Sequence, residues 1–256
     1  MTNLAYVHPE AKIGNNVTIE PFAYIAANVE IGDDCWIGPH AVILDNVKMG
    51  KGCKVFPGAV IGAIPQDLKF HGEETYVEIG DNTTIRECAT INRGTEASGK
   101  RLTKVGSNCL IMSYAHIAHD CVVGDNCIIV SHVGIAGETD IDDWAIIGGG
   151  TMAHQFSKIG VHAMVGGASA VNKDVPPYVL AARNPLAFEG INVVGLRRRG
   201  FTADDIDEIK RIYSFIYDSK YNVSDACDMI RATFPDSRHA KVILDFITSS
   251  KRGIVR

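Results

Sequence analysis

An aliphatic residue returns at every sixth position of the chain: Val7, Ile13, Ile19, Ile25, Ile31, Ile37, Ile43, Met49, Val55 and Ile61. The phase resumes at Ile79, Ile85 and Ile91, and it runs unbroken in sixes from Val105 to Val171. A period of six fits neither an α-helix nor a simple meander of hairpins, whose periods are 3.6 and 2. It fits a solenoid in which short strands turn a corner every hexad and point the aliphatic residue inward. Gly often follows the aliphatic residue, as at Gly14, Gly32, Gly50, Gly106 and Gly124. The expected reason is tolerance of positive φ at the corner. Four residues after the aliphatic one comes a second, small inward position, which Cys35, Cys53, Cys109, Cys121 and Cys127 occupy as plain buried hydrophobes.

The phase breaks at 62–78, where inward aliphatics disappear, and at 93–104, which is polar and carries Gly94, Ser98 and Gly99. Both read as excursions from the coil, and loops on a rigid scaffold are common functional positions. Beyond Val171 the repeat ends at Pro176-Pro177. The expected organisation is a β-helix over 1–175, a linker over 176–190 and a small α-helical domain over 191–256. Thr202-Ala203-Asp204-Asp205 reads as a helix N-terminal box. Ile206, Ile209, Ile212, Tyr213 and Ile216 then follow at helical spacing. Ser224 is the expected cap of a second helix ending before Pro235, and Ala240–Ile247 reads as a third.

The repeat resembles that of the hexapeptide-repeat acyltransferases. That resemblance implies a mainly β fold, a left-handed parallel β-helix with three hexads per coil, followed here by a small C-terminal α-helical domain. It also implies a homotrimer with active sites between subunits. Residues 18 apart then stack at strand spacing, and the sequence becomes a surface map. His119, Gly137 and Gln155 share one column, Ala118, Ala136 and His154 the next, and Asp120 falls under Glu138. Gly148-Gly149-Gly150 stacks beneath Gly166-Gly167-Ala168, leaving a shallow strip for an acyl chain at Gly149 and Gly167.

His119 therefore projects outward beside an acid and next to a bare glycine backbone. A His near its ordinary pKa of about 6.5 can take a proton from an attacking hydroxyl. The neighbouring carboxylate can orient the ring, and the Gly137 N–H can approach a developing oxyanion.

Hydrophobic residues make up 46% and charged residues 21%, ordinary for a soluble globular chain. The Met1-Thr2-Asn3-Leu4-Ala5 start lacks a basic segment followed by an apolar run, and no stretch approaches the ~18 apolar residues of a membrane helix. The expectation is a cytoplasmic protein, neither an integral membrane protein nor a nucleic-acid binder. Net charge is −5, unevenly spread: residues 191–256 carry 12 Lys+Arg against 9 Asp+Glu, so the helical part suits an acidic partner.

Gln66-Asp67-Leu68-Lys69-Phe70, Ala115 to Cys121, His154-Gln155-Phe156, Asp174 to Tyr178 and Arg197-Arg198-Arg199-Gly200-Phe201 are similar to the UDP-N-acetylglucosamine acyltransferases of lipid A biosynthesis. The similarity covers nearly the whole chain. It implies transfer of an (R)-3-hydroxyacyl group from acyl carrier protein to the glucosamine 3-hydroxyl of UDP-N-acetylglucosamine, with no cofactor and no metal. Carried over residue by residue, His119 is the general base, Asp120 its orienting acid and Gly137 the oxyanion donor. Asp67, Lys69, His116, His154 and Gln155 contact substrate, while Asn192, Arg198 and Arg199 lie toward the nucleotide or the carrier. The chain departs from the family's pattern at Glu138, where a His is common after Ala-Gly.

Three rival readings stand beside this one. A γ-class carbonic anhydrase shares the fold and holds zinc with three His, which makes His116, His119, His132 and His154 candidates. Another hexapeptide acyltransferase could acylate a sugar amine, and a trimeric scaffold would need no chemistry at all.

Overall fold

The computed structural model describes residues 4–218 and 220–256. The first three residues of the N-terminal stretch considered above lie outside the described set. Residues 4–175 wind a left-handed parallel β-helix of triangular section. Its first face runs from the strand Tyr6–Val7 to Ala170–Val171, its second from Lys12–Ile13 to Lys158–Ile159, and its third begins at Thr18–Ile19. Away from the two excursions, strands pair in parallel with the one above in an 18-residue register, as in Ile117↔Ile135 and Ile135↔Ala153, and the offset widens to 30 or 26 residues where an excursion intervenes, as in Thr84↔Lys54 and Thr90↔His116. The inward aliphatics fill the prism: Ile25, Ile61, Ile85, Ile117 and Ile147 are fully buried. The inward cysteines are buried and unbridged, as small hydrophobes should be.

The corners work differently from the sequence expectation. Positive φ falls three residues after the aliphatic one, on Asn16, Asp34, Asn46, Asn108, Asp120, Asn126 and Glu138 and equally on Phe22, Tyr114, His132 and Trp144, with values of 55–66°. Asn and Asp tolerate this region by bonding locally. The glycine one residue after the aliphatic position is instead required by closeness. A Cβ on Gly32 would stand 2.7 Å from the carbonyl carbon of Gly50, and one on Gly124 would stand 2.7 Å from the backbone N of Asp143. The next coil passes where a side chain would begin. Of the glycines following an aliphatic residue in phase, Gly62, at the start of the first excursion, does need its positive φ of 86°.

Both excursions leave and rejoin at matching places. The first departs after Val60–Ala63 and returns at Tyr76–Ile79; the second departs after Thr90–Asn92 and returns at Leu102–Val105. They grip one another, for the Glu96 N–H donates to Glu73 Oε1 at 3.1 Å.

The stretch 176–190, read above as a linker, continues the coil. Val179–Ala182 adds to the third face in parallel, and Ala187–Ile191 folds back on it antiparallel. Among the described residues four helices follow: α1 (Val193–Arg198), α2 (Ala203–Ile216), α3 (Val223–Thr233) and α4 (Arg238–Ser249). Thr202 and Asp205 form the expected capping box on α2. The cap of α3 is Asn222 rather than Ser224, because the Asn222 side chain reaches the Asp225 N–H and Ser224 lies already inside the first turn. The chain end returns to the β-helix: the Val255 N–H donates to the Asp174 carbonyl at 2.9 Å, and Asp174 N–H to that of Gly253. No helix among the described residues is long and apolar enough to cross a membrane.

Candidate active site

The richest segment begins at the strand His116–Ile117 on the first face. Ile117 and Cys121 point inward, so residues 118–120 make the corner toward the second face. His119 stands on this corner, largely buried at 8% exposure, and its Nδ1 lies 2.8 Å from Asp120 Oδ2. An ionised carboxylate only accepts, so Nδ1 carries the proton and Nε2 is left for chemistry. The ring lies against Gly137 one coil on: a Cβ there would meet His119 Cε1 at 2.5 Å. The Gly137 N–H has no hydrogen-bond partner among the described residues, whereas its carbonyl accepts from Phe156 N–H and Glu138 N–H donates to the His119 carbonyl.

Asp120 is fully buried with φ of 59°. Burial alone would raise its pKa. The hydrogen bonds from His119, Ser98 and Thr95 outweigh that and hold it below the usual carboxylate value. The His119 pKa is raised in turn, chiefly by its hydrogen bond to Asp120, against burial, with the charges of Asp120, Asp67 and Glu138 adding to the rise. His116 goes the other way: burial and the charge of His119 lower it. Its Nδ1 meets Thr90 Oγ1 at 2.7 Å.

The first excursion closes over this corner. Asp67 accepts the Lys69 N–H at 2.8 Å through Oδ1, and the turn so made brings Oδ2 to 3.3 Å from His119 Nε2. Asn92 holds the excursion's start by donating to the Ile64 carbonyl at 2.7 Å. Between excursion and coil lies a cleft of about 730 Å³. Asp67, Lys69, His116, His119, Gly137 and Gln155 line it. Its floor is apolar where Gly134 and Met152 stack on His116, and Met152 is 58% exposed.

The structure therefore gathers seven of the residues picked from sequence: the six just named, with Asp120 behind His119. Glu138 stands beside them near enough to add its charge to His119, while the Asp120 carboxylate is turned toward the second excursion and away from shared use. His154 is exposed, one residue from Gln155, whose carbonyl it meets through Nδ1 at 2.9 Å. Gly149 and Gly167 stack as mapped, a Cβ on Gly167 lying 3.1 Å from the Gly149 carbonyl. They sit at the corner between the third and first faces, outside the cleft lining.

Asn192, Arg198 and Arg199 are elsewhere in the chain. Asn192 caps α1, its Oδ1 accepting the Gly195 N–H while its Nδ2 donates to the His162 carbonyl. Arg199 packs 5.2 Å over the Trp144 ring and meets His162 Nδ1 at 3.4 Å, at the corner between the second and third faces. Arg198 is exposed. His132 stacks on Tyr114 at 5.1 Å, so the four His considered as zinc ligands do not converge within one chain.

Sequence reasoning missed Thr95, Ser98, Lys100 and Thr103, which surround Asp120. Out of phase with the hexads, three of them fall in the loop between strands and have no place on an 18-residue map. Their only visible signal was a polar, Gly-containing loop carried on a rigid coil.

Comparison with known proteins agrees with this geometry. Residues 174–255 match the family described as UDP N-acetylglucosamine O-acyltransferase, domain 2. Residues 10–35, 28–63 and 102–137 match the bacterial transferase hexapeptide (six repeats). An acyl-(acyl-carrier-protein)–UDP-N-acetylglucosamine O-acyltransferase of Paracidovorax citrulli is 52% identical over 256 residues, 98% of this chain and 97% of its own. The crystal structure of a UDP-N-acetylglucosamine acyltransferase from Bacteroides fragilis has a TM-score of 0.96 at 51% identity over 100% of both chains. One from Arabidopsis has a TM-score of 0.88 at 31% identity, again over 100% of both.

Proposed function

The chain belongs to the UDP-N-acetylglucosamine O-acyltransferase family, and on that premise we propose that it moves an (R)-3-hydroxyacyl group from acyl carrier protein to the glucosamine 3-hydroxyl of UDP-N-acetylglucosamine, the first step of lipid A biosynthesis. The observation that carries the chemistry is His119, anchored to Asp120 through Nδ1, with Nε2 facing the cleft beside the unbonded N–H of Gly137.

The acceptor hydroxyl binds against Nε2, where the Asp67 carboxylate can take a hydrogen bond from a neighbouring sugar hydroxyl. His119 removes the hydroxyl proton as the oxygen bonds to the thioester carbonyl carbon. The carbonyl electrons move to oxygen, and the Gly137 N–H stabilises that charge. As the tetrahedral intermediate collapses, the C–S bond breaks, and the carrier's thiolate takes the proton back from imidazolium Nε2. Asp120 steadies the imidazolium between the two transfers. The acyl chain lies over the apolar floor at Gly134 and Met152 and continues toward Gly149 and Gly167.

A homotrimer completes this reading. The single chain leaves Asn192, Arg198 and Arg199 on a different corner from the cleft. The later part of the third face's outer column, Leu110, Ile128, Ile146, Met164 and Leu180, is apolar, which suits burial against a second copy. A neighbour could thus present its arginines to the diphosphate or to the acidic carrier. The reading places the enzyme in the cytoplasm.

Mass spectrometry of products from UDP-N-acetylglucosamine and a mixture of acyl-carrier thioesters tests it. One 3-O-acyl product is expected, abolished in His119→Ala and shifted to shorter chains in Gly167→Met. An N-linked product, or full activity in His119→Ala, overturns the mechanism.

A further inference from the structure

The fold spends its second excursion on one carboxylate. Asp120 Oδ1 and Oδ2 both accept the Thr95 N–H, at 2.9 and 3.0 Å, and Oδ2 also accepts the Thr95 hydroxyl at 2.7 Å. Oδ1 takes the Ser98 hydroxyl at 2.6 Å as well. The Asp120 N–H donates to Thr103 Oγ1 at 2.7 Å, and Lys100 Nζ donates to its carbonyl at 3.3 Å while pairing with Asp140. Thr95 and Thr103 are buried with Asp120. At the same corner Asp174 also accepts a hydroxyl from outside its stack, that of Ser250 at 2.6 Å, but it follows Lys173 rather than a His.

Gly94 makes the arrangement possible. A Cβ there would meet the Arg101 carbonyl carbon at 2.5 Å and Asp120 Oδ1 at 2.7 Å, so any side chain would separate Thr95 from the acid. The polypeptide is drawn onto the carboxylate at the one point where it has no side chain.

From this we propose that Thr95 and Ser98 are positioning residues for the acyl transfer: they act through Asp120, fixing it as an anion in one orientation and thereby aiming His119. The inference rests on the function proposed above. Its physics is saturation of the carboxylate. With the remaining lone pairs taken, the acid has one direction left to offer, toward His119 Nδ1, and the ring cannot rotate without breaking that bond. Each hydroxyl supplies a charge-assisted hydrogen bond. The groups facing the dyad are Asp67 and Lys69 from the first excursion, Lys100 from the second, His116 from the strand before, and Glu138 from the coil above.

The test is a kinetic cycle on the full-length enzyme. Thr95→Val and Ser98→Ala should each lower kcat about ten- to a hundredfold, the worth of one hydrogen bond to a charge. The KM for both substrates should stay put, and Thr95→Ser and Ser98→Thr should recover most of the rate. In an Asp120→Asn background the same substitutions should cost nothing further, because residues acting through a shared partner are not additive. Losses that add in that background, or a rise in KM with kcat unchanged, would show a loop that merely holds its shape and would overturn the proposal. Failure of the general-base reading looks different: His119→Ala would then keep its rate whatever happens at Thr95 and Ser98.

Discussion

Two kinds of corner carboxylate run along this β-helix, and they differ in what they hold. At the corner between the second and third faces, Asp33, Asp81, Asp125 and Asp143 each accept a backbone N–H from the coil before: Asn15 at 2.6 Å, Lys51 at 2.9 Å, Ser107 at 2.7 Å and Asp125 at 2.8 Å. They satisfy amides that the tight turns leave over, and they are structural. Asp120 sits at the corner between the first and second faces, also beside backbone at positive φ, yet its carboxylate turns to His119 and to the second excursion. The residue type is the same. What differs is that two loops arrive at one corner and none of the four carboxylates at the other meets donors from outside its stack.

The largest effect expected from this contrast is at the acids themselves. Asp120→Asn should lower kcat by about 10²–10⁴, the usual worth of a general-base arrangement, in product-formation assays. Asp143→Asn should leave kcat unchanged and cost about 1 kcal/mol of stability, read by denaturant melts. If the two behave alike, the distinction between structural and catalytic corners falls.

Glycines sharpen it next. A methyl on Gly137 meets the His119 ring, whereas a methyl on Gly124 meets the Asp143 carboxylate and also the backbone of Asp142 and Asp143. Gly137→Ala should therefore cut kcat about a hundredfold, by pushing the base off Asp120 and crowding the oxyanion donor, and cost no more stability than that one hydrogen bond. Gly124→Ala should do the reverse, losing stability with activity intact in whatever remains folded.

The smallest effect is in the pH profile. His119 acts as a base only when neutral, so kcat/KM should fall as pH drops through its raised pKa, placing the acid limb above 6.5. Glu138→Gln removes one of the charges raising that value, so the limb should move down with the plateau unchanged. A limb that stays where it is would mean the Glu138 charge is spent on solvent.

The hexad period alone was enough to mark the inward column from Val7 to Val171, and the stacking of His119 on Gly137 followed once the family resemblance supplied three hexads per coil, because strand pairing is periodic and carries register from coil to coil. It was also enough to mark where the chain leaves the coil. The reason for the repeated glycines was misjudged: φ is a local property, whereas the passage of Gly50 over Gly32 or Asp143 over Gly124 exists only after the coils stack. Asn222 took the helix cap from Ser224 for a similar reason, since two residues only two positions apart both suit a cap and the path of the incoming chain chooses between them.

What the amino-acid order determined by itself is the prism, its axis and the corner on which His119 and Asp120 stand. What only the tertiary structure decided is where the aperiodic segments go: Asp67 to Nε2, Thr95 and Ser98 to Asp120, and Arg199 to Trp144 at another edge. The physical reason is that register propagates through repeated backbone hydrogen bonds, while a loop's destination is set by contacts with coils distant in sequence. Those contacts exist only once the scaffold has formed.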